Sequence, residues 1–170
     1  GRVTPLYWLA WSAARMLFRN LFRCRVYHPE RVPLTGPVIL AANHESYFDP
    51  LFVGSSLPRS INYLAREDLF SNRLSGSFLR GLNSVPVDRG GGGARGLKNI
   101  LERLLRGNGI IIFPEGTRTS DGEMRSAQAG IGLAIIRSRA PVVPVRVWTY
   151  NAYGRHRAVP RLATTAVKFG

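Results

Sequence analysis

A histidine followed five residues later by an aspartate, His44 and Asp49, is the pair in this chain whose types and spacing could move a proton. Imidazole takes up and releases a proton near neutral pH, and a carboxylate can fix its tautomer and steady its charged form. The pair therefore has the parts of a general base with its orienter. The same residues carry a second reading: Asp49-Pro50 is also a helix start, with aspartate as N-cap and proline at the first helical position. A later stretch, Pro114-Glu115-Gly116-Thr117-Arg118, sets an acid and an arginine within four residues around a glycine that permits a sharp turn. Such a turn either lines the crevice of an open α/β sheet or is a solvated surface bend of little energetic weight.

Both groups follow apolar runs that read as strands. Val38-Ile39-Leu40-Ala41-Ala42, within a strand over 37–42, delivers the histidine, and Ile110-Ile111-Ile112-Phe113 runs directly into the turn. The second run has no polar interruption, which suits burial on both faces of a mostly parallel sheet flanked by helices. Further strands read over 61–65, 85–89, 141–148 and 163–169, and helices over 4–23, 50–57, 72–82, 94–106 and 127–137. The helix over 94–106 has the clearest stripe, with Leu97, Ile100, Leu101, Leu104 and Leu105 facing inward. Pro86 puts the 85–89 strand at a sheet edge or at its own beginning, and Arg89 brings another charge to a strand end. Gly90 to Gly93 lacks the spacing of a phosphate-binding loop and reads as a flexible joint. Strands alternating with helices in this way predict one α/β domain with a largely parallel sheet.

In the first helix Ser12, Arg15, Arg19 and Arg23 share one stripe, while Leu6, Leu9, Ala13, Met16, Leu17 and Leu21 spread over the rest. Tyr7, Trp8 and Trp11 add aromatic groups that suit a lipid headgroup boundary. Such a helix either lies in a membrane surface or packs on the domain's core with its arginines in water. The net charge of +14 comes from 22 Arg and 2 Lys against 10 acids, so an anionic partner is expected: nucleic acid, an anionic membrane surface or phosphorylated small molecules. The arginines are spread along the chain, with no zinc-finger, RRM or helix-turn-helix signature, which argues against a specific nucleic-acid partner. The one cysteine, Cys24, can form no internal disulfide and reads as a packing residue. No apolar run approaches the roughly 18–20 residues of a membrane-spanning helix.

Taken in order, Asn43-His44-(four residues)-Asp49, Val85-Pro86-Val87-Asp88-Arg89, Phe113-Pro114-Glu115-Gly116-Thr117-Arg118 and Val142-Val143-Pro144-Val145 resemble the four sequence blocks of the glycerolipid acyltransferases, the 1-acylglycerol-3-phosphate acyltransferase family. The resemblance runs over roughly residues 30–170. It departs at Asn83, where the family usually has glycine, and at Arg66, where it often has lysine. Asparagine tolerates a left-handed backbone and arginine keeps the charge, so both departures are compatible.

The resemblance implies an O-acyltransferase that moves a fatty acyl group from acyl-CoA or acyl-carrier protein to a lysophospholipid, foremost 1-acylglycerol-3-phosphate. His44 would be the general base and Asp49 its partner, while Arg89, Glu115, Gly116, Thr117 and Arg118 would bind the acceptor's polar head. Pro144 would be structural or would touch the acyl chain. No metal or cofactor is implied beyond the acyl carrier as co-substrate. The expected organisation is an amphipathic, membrane-surface helix over 1–25 and an acyltransferase domain over 26–170 with a truncated C-terminal end. The expected location is the cytoplasmic face of the cell membrane, peripheral or monotopic. Other acceptors stay open, among them glycerol-3-phosphate, a glycolipid or an aminolipid, and a basic nucleic-acid-binding module is the alternative of a different class.

Overall fold

The apolar runs pair side by side into a sheet. The computed structural model describes residues 3–87, 94–127, 129–153 and 163–170; Arg89 and the Gly90 to Gly93 joint lie outside the described residues. Among the described residues the strands are β1 (Arg25–Tyr27), β2 (Val38–Ala42), β3 (Ile61–Arg66), β4 (Ser84–Val87), β5 (Gly109–Ile112), β6 (Val142–Trp148) and β7 (Ala166–Phe169). They stand in the order β1-β7-β6-β2-β5-β3-β4. β6, β2, β5, β3 and β4 run parallel, β7 is antiparallel to β6, and β1 is parallel to β7. The sheet is thus mostly parallel, as the uninterrupted β5 run predicts. The reversal at β7 was not expected, because a strand's own residues do not encode its direction. β1 was not expected either: its three residues are all exposed and show no alternation.

The even–odd alternation of β2 splits the core. Val38, Leu40 and Ala42 join Val143, Val145 and Val147 on one face, under Phe18 and Phe22 from the N-terminal segment and Phe52. Phe18 belongs to helix α1 (Pro5–Leu21) and Phe52 to α2 (Asp49–Ser55), and their rings stack with centroids 3.8 Å apart. Ile39 faces the other way, with Ile110 and Ile112, beneath Ile100 and Leu104 of α4 (Ala94–Leu105) and Ala134 of α5 (Ala129–Ser138). Each such side chain taken out of water contributes roughly 1.5–3 kcal/mol, so helices on both faces are held by the same strands that carry the loops.

The two prolines in strands sit where a missing N–H costs little. Pro86 is in β4, which has one neighbour. Pro144 lies inside β6, but its carbonyl accepts from Gly170 N (2.8 Å) at the end of the β7 pairing, so its nitrogen points to the side where the ladder finishes. Asn83, between α3 (Arg73–Gly81) and β4, takes φ +58°, the left-handed conformation its side chain tolerates.

Helix α1 does two things at once. Tyr7, Phe18 and the half-buried Trp11 turn inward, and the Trp11 indole donates to the carbonyls of Gly54 (3.2 Å) and Leu57 (3.1 Å). Two of its three leading aromatics therefore serve the core and not a surface boundary. Leu9, Met16, Leu17 and Leu21 are left exposed. Among the described residues no helix is long and apolar enough to cross a membrane.

Candidate active site

Because five strands run parallel, the C-terminal ends of β2, β3, β4, β5 and β6 lie along one edge of the sheet, and the central strand β2 delivers His44 between its neighbours β5 and β6. His44 is held by its backbone from the β5 side: its N–H donates to Glu115 Oε1 (2.9 Å) and its carbonyl accepts from Thr119 N (2.8 Å). Its ring stacks on Phe113, with centroids 4.0 Å apart and planes 21° from parallel. The histidine is thereby held at both of its backbone polar groups and across one face of its ring.

Its Nδ1 lies 3.0 Å from Asp49 Oδ2, so Nδ1 carries the proton toward the carboxylate and Nε2 keeps its lone pair. Asp49 is completely buried. It is the first residue of α2, with Pro50 second, yet it does not cap that helix in the expected way. Its Oδ2 folds back to accept from Glu45 N (2.6 Å) and Ser46 N (2.7 Å), the two amides before the helix, and its Oδ1 accepts from the Thr149 hydroxyl. The capping chemistry is present but is spent on the histidine loop. Apart from the imidazole, the donors to Asp49 among the described residues are two backbone amides and one hydroxyl.

The loop is also tied to the β6 side. Asn43 Oδ1 accepts from Val147 N (2.7 Å) while its Nδ2 donates to Val147 O (3.1 Å), extending the β2–β6 ladder through a side chain. Glu45 is buried, accepts from the amides of Thr149 (2.7 Å) and Tyr150 (2.8 Å), and lies 3.7 Å from the Arg146 guanidinium. Burial pushes its carboxyl above the usual range, against the pull of those two amides.

Two hollows meet at the histidine. One, of about 390 Å³, is apolar and runs between α1, α2, β3 and α3, past Trp11, Ala14, Leu51, Leu79 and Leu82. The other, of about 370 Å³, is lined by Gly116, Thr117, Arg118 and Ile131. They share His44, Tyr47, Leu64, Arg66 and Phe113. Arg118 lies over the Tyr47 ring, 3.4 Å from its centroid, which bridges the two loops across the second hollow. Gly116 has φ +67°, so the glycine does permit the sharp turn.

The expected residues separate into groups. His44 and Asp49 come together, and Gly116, Thr117 and Arg118 face the same hollow as His44. Glu115 turns the other way: it is buried, and its oxygens accept from His44 N and from Arg125 N (2.9 Å). Pro144 lines a separate recess with Glu115 and Arg125, apart from His44. Arg89 lies outside the described residues. Arg66, at the end of β3, lines both hollows and was noted in the sequence only as a departure. Thr149 was missed, since a lone threonine after a strand carries no local signal, and only the sheet order brings it to Asp49.

Comparison with known proteins adds the following. Residues 23–148 match the family model described as Acyltransferase. A 1-acyl-sn-glycerol-3-phosphate acyltransferase of Bacillus subtilis is 35% identical over 127 residues, 71% of this chain and 60% of that protein. A lyso-ornithine lipid O-acyltransferase of Pseudomonas aeruginosa is 27% identical over 152 residues, 85% of this chain and 55% of that protein. The crystal structure of the 1-acyl-sn-glycerophosphate acyltransferase of Thermotoga maritima matches 94% of this chain and 67% of its own with TM-score 0.76 at 24% identity, a likeness of fold. The chain thus spans somewhat more than half the length of these two sequence relatives.

Proposed function

Since this chain belongs to the Acyltransferase family, we propose that it moves a fatty acyl group from an acyl thioester, acyl-CoA or acyl-carrier protein, to the free hydroxyl of 1-acylglycerol-3-phosphate, giving phosphatidic acid. The meeting of an apolar and a cationic hollow at one histidine carries this reading, because an anionic amphiphile needs both surfaces with its reacting atom at their junction. His44 Nε2 takes the acceptor's hydroxyl proton as that oxygen attacks the thioester carbonyl. The tetrahedral adduct then expels the thiolate, which leaves with the proton held on the imidazole, so the new ester bond replaces the C–S bond. Asp49 keeps Nδ1 protonated and steadies the charged ring. Arg118 holds the acceptor's phosphate, where guanidinium matches the oxygens with paired donors, and Arg66, which is itself paired with Asp68, adds positive charge at the same hollow. The acyl carrier enters as co-substrate, and this reading calls on no further cofactor.

The test is a panel of acyl-CoA and acyl-carrier-protein donors against lysophosphatidate, glycerol-3-phosphate and aminolipid acceptors. Lysophosphatidate is expected to turn over fastest, and His44→Ala to lower kcat by about 10²–10⁴-fold, the usual contribution of a positioned base. Activity intact in folded His44→Ala sinks the assignment of the base. The lyso-ornithine lipid relative gives a second reading, an aminolipid acceptor, which the same panel reads directly.

We also propose that the enzyme works on a membrane surface through the outer face of α1, where Leu9, Met16, Leu17 and Leu21 stand exposed between arginines. Removing residues 1–25 would strip Phe18 and Phe22 from the core, so the clean test is Leu9→Glu with Leu17→Glu. Flotation with anionic vesicles is expected to fall several-fold at unchanged melting temperature. Undiminished flotation overturns this surface assignment.

A further inference from the structure

We infer that Thr149 is a positioning residue of the acyl-transfer reaction, holding the outer oxygen of Asp49 so that the inner oxygen faces His44. The inference rests on the reading of His44 as base. Thr149 and Asp49 are both completely buried, 100 residues apart in sequence, and the threonine hydroxyl donates to Asp49 Oδ1. The other carboxylate oxygen, Oδ2, takes His44 Nδ1 and the amides of Glu45 and Ser46. A carboxylate rotates about its Cβ–Cγ bond. Donors on Oδ2 alone leave the tilt of the group toward the imidazole weakly set, and a donor on Oδ1 fixes the plane from the far side.

The hydroxyl is itself held. Thr149 N donates to Glu45 Oε2 (2.7 Å), Tyr150 N to the same oxygen (2.8 Å), and Val147 is clasped by the Asn43 amide two residues earlier. The end of β6 is thus bolted at successive points to the loop it must orient, and Thr149 is the point that reaches the dyad. Glu45 takes no bond from the imidazole; it fixes Thr149, and Thr149 fixes Asp49.

The hydroxyl also tunes charge. Its dipole points its positive end at Asp49, drawing negative charge toward Oδ1 and away from His44. Loss of the hydroxyl leaves the field at the imidazole more negative, which favours the protonated ring. Since the base must be neutral, the acid limb of the rate profile then moves to higher pH. Among the described residues the other charged or titratable groups round the pair are Glu45 and Tyr47 on its own loop, Glu115 and Arg118 from the turn after β5, Arg66 from β3 with its partner Asp68, and Arg146 from β6. None of them changes in the variants below.

The experiment is kcat and kcat/KM against pH, with lysophosphatidate and acyl-CoA, for Thr149→Val, Thr149→Ala, Thr149→Ser and His44→Ala, each checked by thermal melting. Thr149→Val keeps the shape and deletes the hydroxyl; Thr149→Ala does the same without branching, should valine not fold. The hydroxyl-free variants are expected to lose about 10-fold or more in kcat, with KM for both substrates within a factor of about two and the acid limb displaced upward, while serine restores rate and profile. A tenfold loss with an unmoved profile makes Thr149 merely structural and overturns the inference. So does a folded Thr149→Ala with the wild-type rate and profile beside an inactive His44→Ala, which leaves the base assignment standing. An active His44→Ala removes the base, and the inference falls with it.

Discussion

Asp49 and Glu115 are two carboxylates from the loops of adjacent parallel strands, both buried, both accepting two backbone amides, and both within one residue's reach of His44. They differ in what else they touch. Asp49 gives its remaining capacity to two side chains, the His44 imidazole and the Thr149 hydroxyl. Glu115 gives everything to amides, one on His44 and one on Arg125. The first is bonded to a side chain of a type that can exchange a proton; the second is a bolt that fixes where the histidine's backbone stands. Burial and amide bonds alone do not mark a catalytic carboxylate. A titratable partner does.

Replacing each acid by its amide breaks this comparison most sharply. Asp49→Asn presents an NH₂ to donors on one side of the group and removes the charge that steadies the imidazolium, so kcat is expected to fall by about 10²–10⁴-fold. Glu115→Gln leaves one amide facing an NH₂, either His44 N or Arg125 N, for a stability loss of about 1–3 kcal/mol. Its kcat is expected to fall only about tenfold, through a loosened histidine, with the pH profile unmoved. The measurements are steady-state rates across pH and urea denaturation of both variants. Equal losses in kcat, or a moved profile in Glu115→Gln, erase the distinction between the two acids.

Much of this frame could be read from the residues. The apolar β5 run implied its burial and the parallel sheet, Pro86 implied an edge, and the two polar groups at strand ends implied a crevice. Local patterns carry such information because they reflect burial and backbone conformation at the residue itself. What failed was pairwise. Glu115 was expected by resemblance among the residues that bind an acceptor's head; in the structure its oxygens accept from the amides of His44 and Arg125, while Gly116 and Arg118 line the hollow. Asp49 looked like a cap, and its amides come from before the helix instead. Thr149 and Asn43 depend on β6 lying beside β2, a neighbourhood set by the crossover through α5 and not by either segment alone.

Gly116 offers the finest cut, since it separates the inward acid from the outward arginine within one turn. An L-residue held at φ +67° costs about 1–2 kcal/mol, so Gly116→Ala is expected to lower stability by about that much if the turn keeps its shape. If the turn relaxes instead, the two sides need not move equally. Glu115 is buried and its two amides tie it to two different segments, while Arg118 is half-buried at an exposed Tyr47 ring, where solvent takes up a shift of the side chain. Strain therefore moves Arg118 first. KM for the phosphate-bearing acceptor is expected to rise a few-fold while kcat and KM for the acyl donor stay put. Gly116→Asn, which tolerates the left-handed region better, should lie between alanine and the wild type. A fall in kcat at unchanged acceptor KM reverses the order, showing that Glu115 yields before Arg118 and that the bolt is the softer of the two ends.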